Sequence, residues 1–199
     1  MYQKIIKRTL DIMFAFFCLI ILAPLLLIIA IAIKLDSKGP VVFKQKRLGY
    51  NGKEFYMYKF RSMVEGAESG GVYSDDRDVR VTKVGSVLRK TSADELLQAV
   101  NILKGEMSFV GPRPPLTYHP WPYEDYSKEQ KRMFDVRPGI TGWSQVNGRR
   151  TVEWNRRIEH NIWYVDNVSF LLDVRIVLMT VFKVLKNSDN ENIGTTIGE

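Results

Sequence analysis

The sequence predicts an α+β fold, mainly helical, in which an N-terminal membrane-embedded helix precedes a membrane-associated domain with a short β-hairpin. Three observations predict it. Residues 12–33 form a run of 22 residues without a charge. Val41-Val42-Phe43 and Phe55-Tyr56-Met57-Tyr58 are β-favouring runs joined by a turn between Gly49 and Gly52. Beyond them, apolar residues recur at helical spacing over residues 92–104, 152–165 and 169–186. At 199 residues the chain accommodates one compact domain and an anchor. The expected divisions are residues 1–36 (membrane helix), 37–186 (globular domain) and 187–199 (polar tail).

As a helix, residues 12–33 would be about 33 Å long at 1.5 Å per residue, enough for a hydrocarbon layer of roughly 30 Å. Residues 15–33 have no polar face to turn towards water, which argues against a buried core helix. Lys4, Lys7 and Arg8 with Ala30-Ile31-Ala32 imitate a signal peptide, but the apolar part exceeds the roughly 15 residues such peptides carry. A retained membrane segment is therefore expected. Its topology has two solutions. Lys4, Lys7 and Arg8 precede it while Lys34, Lys38, Lys44, Lys46 and Arg47 follow, so one simple crossing fits the positive-inside rule poorly. Pro24 removes the backbone bond to Ile20, which suits a helix that dips in and returns. A kinked ordinary span accommodates the proline equally well.

After the hairpin, residues 65–80 are polar and contain Gly66, Gly70 and Gly71, the composition of a surface loop. Residues 92–104 are the clearest soluble helix. Ser92 and Glu95 have capping-box spacing, Leu96, Val100 and Leu103 share a face, and Gly105 stops it. Proline-rich turns follow at residues 111–115 and 120–122, then a short helix over 128–134. Asn147-Gly148 signals a turn. Residues 169–186 are strongly apolar, interrupted by Asp173, Arg175, Thr180 and Lys183. Core packing is the default explanation, and a place in the membrane interface is the alternative. The tail from Asn187 is expected to be disordered.

The net charge of +7 favours an anionic partner, whether phospholipid, nucleotide or nucleic acid. Cys18 is the only cysteine, so there is no intrachain disulfide and no cysteine metal cluster. His119 and His160 are too few for a multi-histidine centre.

The richest stretch for chemistry is Arg89-Lys90-Thr91-Ser92-Ala93-Asp94-Glu95, followed by Gly111-Pro112-Arg113-Pro114. Two carboxylates at a helix start can simply be cap residues. Here they stand among cations, and Arg113 sits in a proline frame that restricts its backbone. A pre-organised guanidinium suits a phosphate, and a helix N-terminus offers free N–H groups to an anion. Lys59, Arg61, Arg89, Arg113, Arg137 and Arg149 are the phosphate- or nucleotide-binding candidates, Arg149 with Arg150 lying among the glycines of residues 139–148. Asp75, Asp76 and Asp78 form a rival acidic cluster of the kind that holds a divalent ion on a nucleotide diphosphate, although flanking glycines favour a solvated loop. Trp121, Trp143, Trp154 and Trp163, with Tyr118, Tyr123 and Tyr126, could stack on a base, but packing is the more ordinary role.

The chain resembles the bacterial sugar transferases, the small monotopic polyprenol-phosphate sugar-1-phosphate transferases, from about residue 7 to 186. The resemblance rests on Lys7-Arg8 with Asp11, the proline-broken apolar segment, and Phe43-Lys44-Gln45-Lys46-Arg47 with Gly49. Tyr58-Lys59-Phe60-Arg61-Ser62-Met63, Asp78-Val79-Arg80 and Val84-Gly85 continue it. Leu88-Arg89-Lys90-Thr91-Ser92-Ala93-Asp94-Glu95-Leu96 and residues 101–114 come next. Val136-Arg137-Pro138-Gly139-Ile140-Thr141-Gly142, Gln145-Val146-Asn147-Gly148-Arg149 and Leu172-Asp173 complete it. Leu97 departs from the pattern, standing where the family usually has proline.

The resemblance implies transfer of a sugar phosphate from a nucleotide-diphosphate sugar, usually a UDP-sugar, to polyprenol phosphate at the cytoplasmic face of the cell membrane. It implies Asp94 as nucleophile, Glu95 as ligand of Mg²⁺, and a helix that re-enters the membrane without crossing it. It implies no nucleic-acid partner. Asp94, at a helix start, is expected to be ionised. Two other readings stand beside this one: a metal-dependent glycosyltransferase using Asp75, Asp76 and Asp78, and a non-catalytic basic module anchored to a membrane.

Overall fold

The computed structural model of the protein describes residues 2–67, 71, 78–147 and 153–186. A π-helical turn over Tyr2–Ile6 leads into α1 (Lys7–Asp36), a 30-residue helix with Pro24 inside it. Its two ends are docked and its middle is bare. At the N-terminal end, Tyr2 Oη and Lys7 Nζ each donate to Asp173 at 2.6 Å, Arg8 Nη1 donates to Ile102 O at 2.7 Å, and buried Asp11 accepts from Phe109 N at 3.1 Å. At the C-terminal end, Ile29 and Ile33 pack with Phe60 and Leu88, and Asp36 accepts from Val84 N at 2.9 Å. Both ends therefore sit on the same globular body. Between them Phe16, Phe17, Ile20, Ile21, Leu25, Leu27 and Ile28 are exposed. The mean hydropathy of an 18-residue window is 3.2, so this helix is long and apolar enough to enter a membrane.

The hairpin forms as expected, with longer strands. β1 (Val42–Leu48) pairs antiparallel with β2 (Glu54–Phe60) across a 3₁₀ turn over Tyr50–Gly52. Strand alternation sends Lys44 and Lys46 outwards, where they stand near the rings of Tyr58 and Tyr56. Phe55 and Met57 point inwards, onto Ala15 of α1 and Ala99, Ile102 and Met107.

α2 (Lys83–Thr91) has no counterpart in the sequence reading. It is capped by the Thr82 side chain, which accepts from Gly85 N at 3.0 Å. A glycine inside a nine-residue segment weakens any helical signal. It is required here because Gly85 rests on the carbonyl of Ser62, where a Cβ would collide with backbone.

The helix expected to start at Ser92 starts elsewhere. Ser92 closes α2 in a left-handed conformation (φ 56°), with its N–H bonded back to Leu88 and Arg89, and its side chain caps nothing. A 3₁₀ turn over Ala93–Glu95 follows, and regular helix resumes as α3 (Gln98–Lys104), stopped by Gly105 as expected. The capping box with Glu95 is thus absent, because Ser92 is already used to turn the chain out of α2. Leu97 has φ −67°, which a proline ring would also adopt. Leucine instead adds its side chain to the cluster that docks α1.

β3 (Ser108–Val110) and β4 (Gly139–Thr141) form a two-stranded parallel pair, each too short to leave an alternation signal. Gly142 backs directly onto the carbonyl of Gly111, which leaves no room for a Cβ. The short helix expected over 128–134 is α4 (Lys128–Lys131) with a 3₁₀ turn over Arg132–Phe134, and a true capping box joins Ser127 and Gln130. α5 (Trp143–Asn147) precedes the Asn147-Gly148 turn signal, whose glycine lies outside the described residues. α6 (Trp154–Asp166) and α7 (Phe170–Lys186) match the last two expected helices, and the tail lies outside the described residues.

α7 is only half a core helix. Asp173 and Ile176 are buried, whereas Phe170, Leu171, Val177, Leu178, Val181 and Phe182 are exposed. Core packing explains one face of it; on the other, Phe170 meets the Tyr2 ring edge-on at 6.2 Å and the remaining apolar side chains are exposed.

Candidate active site

The site is assembled by three short connections. Fully buried Asn101 of α3 donates to Tyr56 O at 2.7 Å and accepts from Tyr58 N at 3.0 Å, locking α3 to the edge of β2. That contact brings the Ala93–Glu95 turn alongside Lys59. The Arg113 loop is the third wall. Pro112, Pro114 and Pro115 are buried, and their carbonyls accept from Gly139 N (2.9 Å), Arg47 Nη1 (2.9 Å) and Leu48 N (3.0 Å). Arg113 projects from this anchored frame.

Glu95 is the best-connected group. Its Oε1 accepts from Lys59 Nζ at 2.7 Å and from Arg113 Nη2 at 3.1 Å, and its side chain is 17% exposed. Burial opposes its ionisation, but the two cations outweigh that and hold its carboxyl well below the ordinary range. Asp94 differs. It is half-buried, and no hydrogen bond engages its carboxylate among the described residues. Burial pushes its pKa up; Lys59 pulls it down, Glu95 pushes it up again, and Arg89 and Arg113 pull it down. The expected place of Asp94 at an α-helix start is corrected, and burial raises its pKa. Asp94 lies in a 3₁₀ turn, and the surrounding cations favour its charge. The pair divides into a fixed carboxylate and an unengaged one.

Arg89 belongs to this group through its charge, while its Nε donates to Ser62 Oγ at 2.9 Å. Two other candidates are placed elsewhere. Arg61 is 5% exposed and donates to Ser37 O at 2.8 Å and to Lys38 O, so its guanidinium docks the end of α1 rather than facing a phosphate. Strand alternation would put residues two apart on one face, but β2 ends at Phe60, between Lys59 and Arg61, so Arg61 escapes that alternation. Arg137 Nε donates to Gly105 O at 2.9 Å and its guanidinium lies 5.7 Å from the Tyr50 ring, at the far end of α3. Arg149, Arg150, Asp75 and Asp76 lie outside the described residues. Asp78 is gripped by Arg80, whose Nε and Nη2 donate to it at 2.6–3.1 Å, and that pairing, against burial, draws its pKa down to about 2. Trp121, Tyr123 and Tyr126 pack around Phe134. Trp143 stacks on Trp163 at 4.5 Å, and Trp154 meets His119 edge-on at 5.3 Å.

Among the described residues no three His, Cys, Asp or Glu side chains converge as a metal site. A smaller donor set still fits Mg²⁺, which commonly takes one or two carboxylates and completes its shell with substrate phosphates and water. Both hydrogen bonds to Glu95 go to Oε1, so its Oε2 and the neighbouring Asp94 are the hard oxygen donors on offer.

Sequence reasoning missed Arg47, whose charge reaches Glu95 and Arg113. The signal was present in the alternation of Lys44 and Lys46 outwards with Gln45 and Arg47 inwards.

Comparison with known proteins adds an independent line. The profile of a family described as bacterial sugar transferase matches residues 2–187. An uncharacterized sugar transferase of Bacillus subtilis, EpsL, is 46% identical over 91% of this chain and 88% of its own length. A UDP-glucose:undecaprenyl-phosphate glucose-1-phosphate transferase of Escherichia coli is 43% identical over 93% of this chain. One of the same description from Caulobacter vibrioides is 44% identical over 92%. The chain spans 41% of the length of the Escherichia coli protein and 71% of the Caulobacter one.

Proposed function

Since this chain belongs to the bacterial sugar transferase family, we propose that it moves a sugar 1-phosphate from a nucleotide-diphosphate sugar to polyprenol phosphate. The donor is a UDP-sugar, and the products are a polyprenol-diphosphate sugar and UMP, a first step in assembling a polysaccharide or glycoconjugate. The observation that carries this reading is the division of labour between Asp94, unengaged among cations, and Glu95, clamped by Lys59 and Arg113. Asp94 attacks the sugar-bearing phosphorus, UMP departs, and an aspartyl-phosphosugar remains. A polyprenol phosphate oxygen then attacks the same phosphorus and frees Asp94. The intermediate divides one difficult displacement into two easier ones, each an attack of an anion on an anionic phosphoryl group whose repulsion the site's cations offset. Lys59 and Arg113 hold Glu95 in place and offset charge on the phosphoryl oxygens. Mg²⁺ bound at Glu95 would supply Lewis-acid polarisation of those oxygens.

The test is a panel of UDP-sugars presented to the protein in vesicles containing polyprenol phosphate. Lipid-dependent release of UMP is expected. Release of UDP would instead identify a glycosyltransferase, and no turnover a binding module.

The same reading places the domain on the cytoplasmic face, with α1 re-entering the membrane from that side. Docking of both α1 ends on one body supports this, because a crossing helix would have to leave one end on the far side. Basic residues on both flanks and the bare apolar face of α7 support it too. Single cysteines at Gln3 and Ser37, in a Cys18→Ser background, should both resist an impermeant thiol reagent applied to intact cells. Labelling at position 3 with protection at position 37 would establish an ordinary crossing.

A further inference from the structure

The hairpin delivers a second cation to the site. Its register sets Phe43 opposite Lys59, Gln45 opposite Met57 and Arg47 opposite Phe55, so Gln45, Arg47 and Lys59 share one face. Arg47 reaches under the proline loop, donating from Nη1 to Pro114 O at 2.9 Å and from Nη2 to Gln45 Oε1 at 2.6 Å. Its Nε is buried and has no hydrogen-bond partner among the described residues. Among the described residues no carboxylate pairs with it directly. Glu95 is the carboxylate whose charge reaches it, and that group already serves Lys59 and Arg113. Burial and then the neighbouring Arg113 push the Arg47 pKa down to about 9, against the pull of Glu95 and Tyr118. A guanidinium buried beside another guanidinium is unfavourable unless an anion joins them.

We propose that Arg47 binds the nucleotide-side phosphate of the donor and stabilises the charge that this phosphate gains on leaving. The inference rests on the phosphotransfer reading above. In the first step a carboxylate oxygen of Asp94 bonds to the sugar-bearing phosphorus. The bond from that phosphorus to the bridging oxygen breaks, and its electron pair stays on the oxygen. The nucleotide phosphate thereby passes from one negative charge to two. A guanidinium fixed by Pro114 and Gln45 is positioned before that charge appears and needs no reorganisation when it does. Its planar fork and unsatisfied Nε–H suit a phosphate better than an ammonium would.

The experiment measures equilibrium binding of UMP, and UMP inhibition of turnover, with the full chain in vesicles. Arg47→Gln should weaken UMP binding by on the order of 10- to 100-fold, as loss of a charge-assisted hydrogen bond does. Gln45→Glu separates this from mere anchoring of the loop. A carboxylate in place of the amide oxygen at 2.6 Å keeps Arg47 fastened while neutralising its charge. That variant should also bind UMP weakly, with a melting temperature no lower than that of the wild type. Unchanged UMP binding in Gln45→Glu, with UMP release intact in the wild type, would overturn the proposal alone. Absence of UMP release by the wild type would overturn the phosphotransfer reading and this proposal with it.

Discussion

Asp94→Asn should lower turnover by on the order of 10³-fold or more, the scale seen when a covalent nucleophile is removed and only binding and electrostatic stabilisation remain. The substitution keeps size and shape and removes the charge that makes the oxygen nucleophilic. Because no hydrogen bond engages this carboxylate among the described residues, the fold should tolerate the change and the melting temperature should barely move. Incubating the wild type with UDP-sugar, without lipid, should yield a protein heavier by one phosphosugar in intact-protein mass spectrometry. Asp94→Asn should show no adduct. Near-normal activity in the variant would remove Asp94 from the mechanism. The pH profile offers a second reading of the same group. Burial raises the Asp94 pKa, so its nucleophilic form is lost as pH falls through that raised value. The acid limb of turnover should therefore lie above the ordinary aspartate range. Lys59→Gln, which removes a charge that lowers this pKa, should shift the limb to higher pH.

Glu95→Gln is expected to be nearly as damaging, by about 10²-fold in turnover, the scale for loss of one positioned charge at a reacting phosphoryl group. Glutamine keeps an oxygen for Lys59 and Arg113 but takes away the charge that balances them. Chelation should silence the wild type and added Mg²⁺ should restore it. Glu95→Gln should respond to neither. If that variant kept its activity while neutralising Asp75, Asp76 and Asp78 together abolished turnover, the metal would belong to the loop. Stability should follow the same charge. The depressed pKa of Glu95 contributes stability that is present above its unfolded value and is lost as pH falls through the folded one. The wild type should thus lose stability on acidification below about pH 4, and Glu95→Gln should lose less over that range.

The long apolar N-terminal helix, the hairpin, the last two helices and the family were legible in the residues themselves. Each rests on a local signal long enough to read: 22 uncharged residues, two β-favouring runs around a turn, and apolar spacing sustained over several helical turns. The grouping of Asp94 and Glu95 with the proline-framed Arg113 was legible too, because the carboxylates are adjacent and stand among cations in the sequence itself. Strands of three residues, a nine-residue helix holding Gly85, and the left-handed turn at Ser92 were not, since all depend on contacts with distant backbone. Which cations serve the site was likewise a tertiary matter. Arg61 and Lys59 are two residues apart, yet one docks α1 and the other clamps Glu95, because β2 ends between them. Arg47 joined the site through strand register and a proline carbonyl 67 residues away. A sequence displays which groups carry charge, but burial, register and the ends of elements decide which of those charges meet.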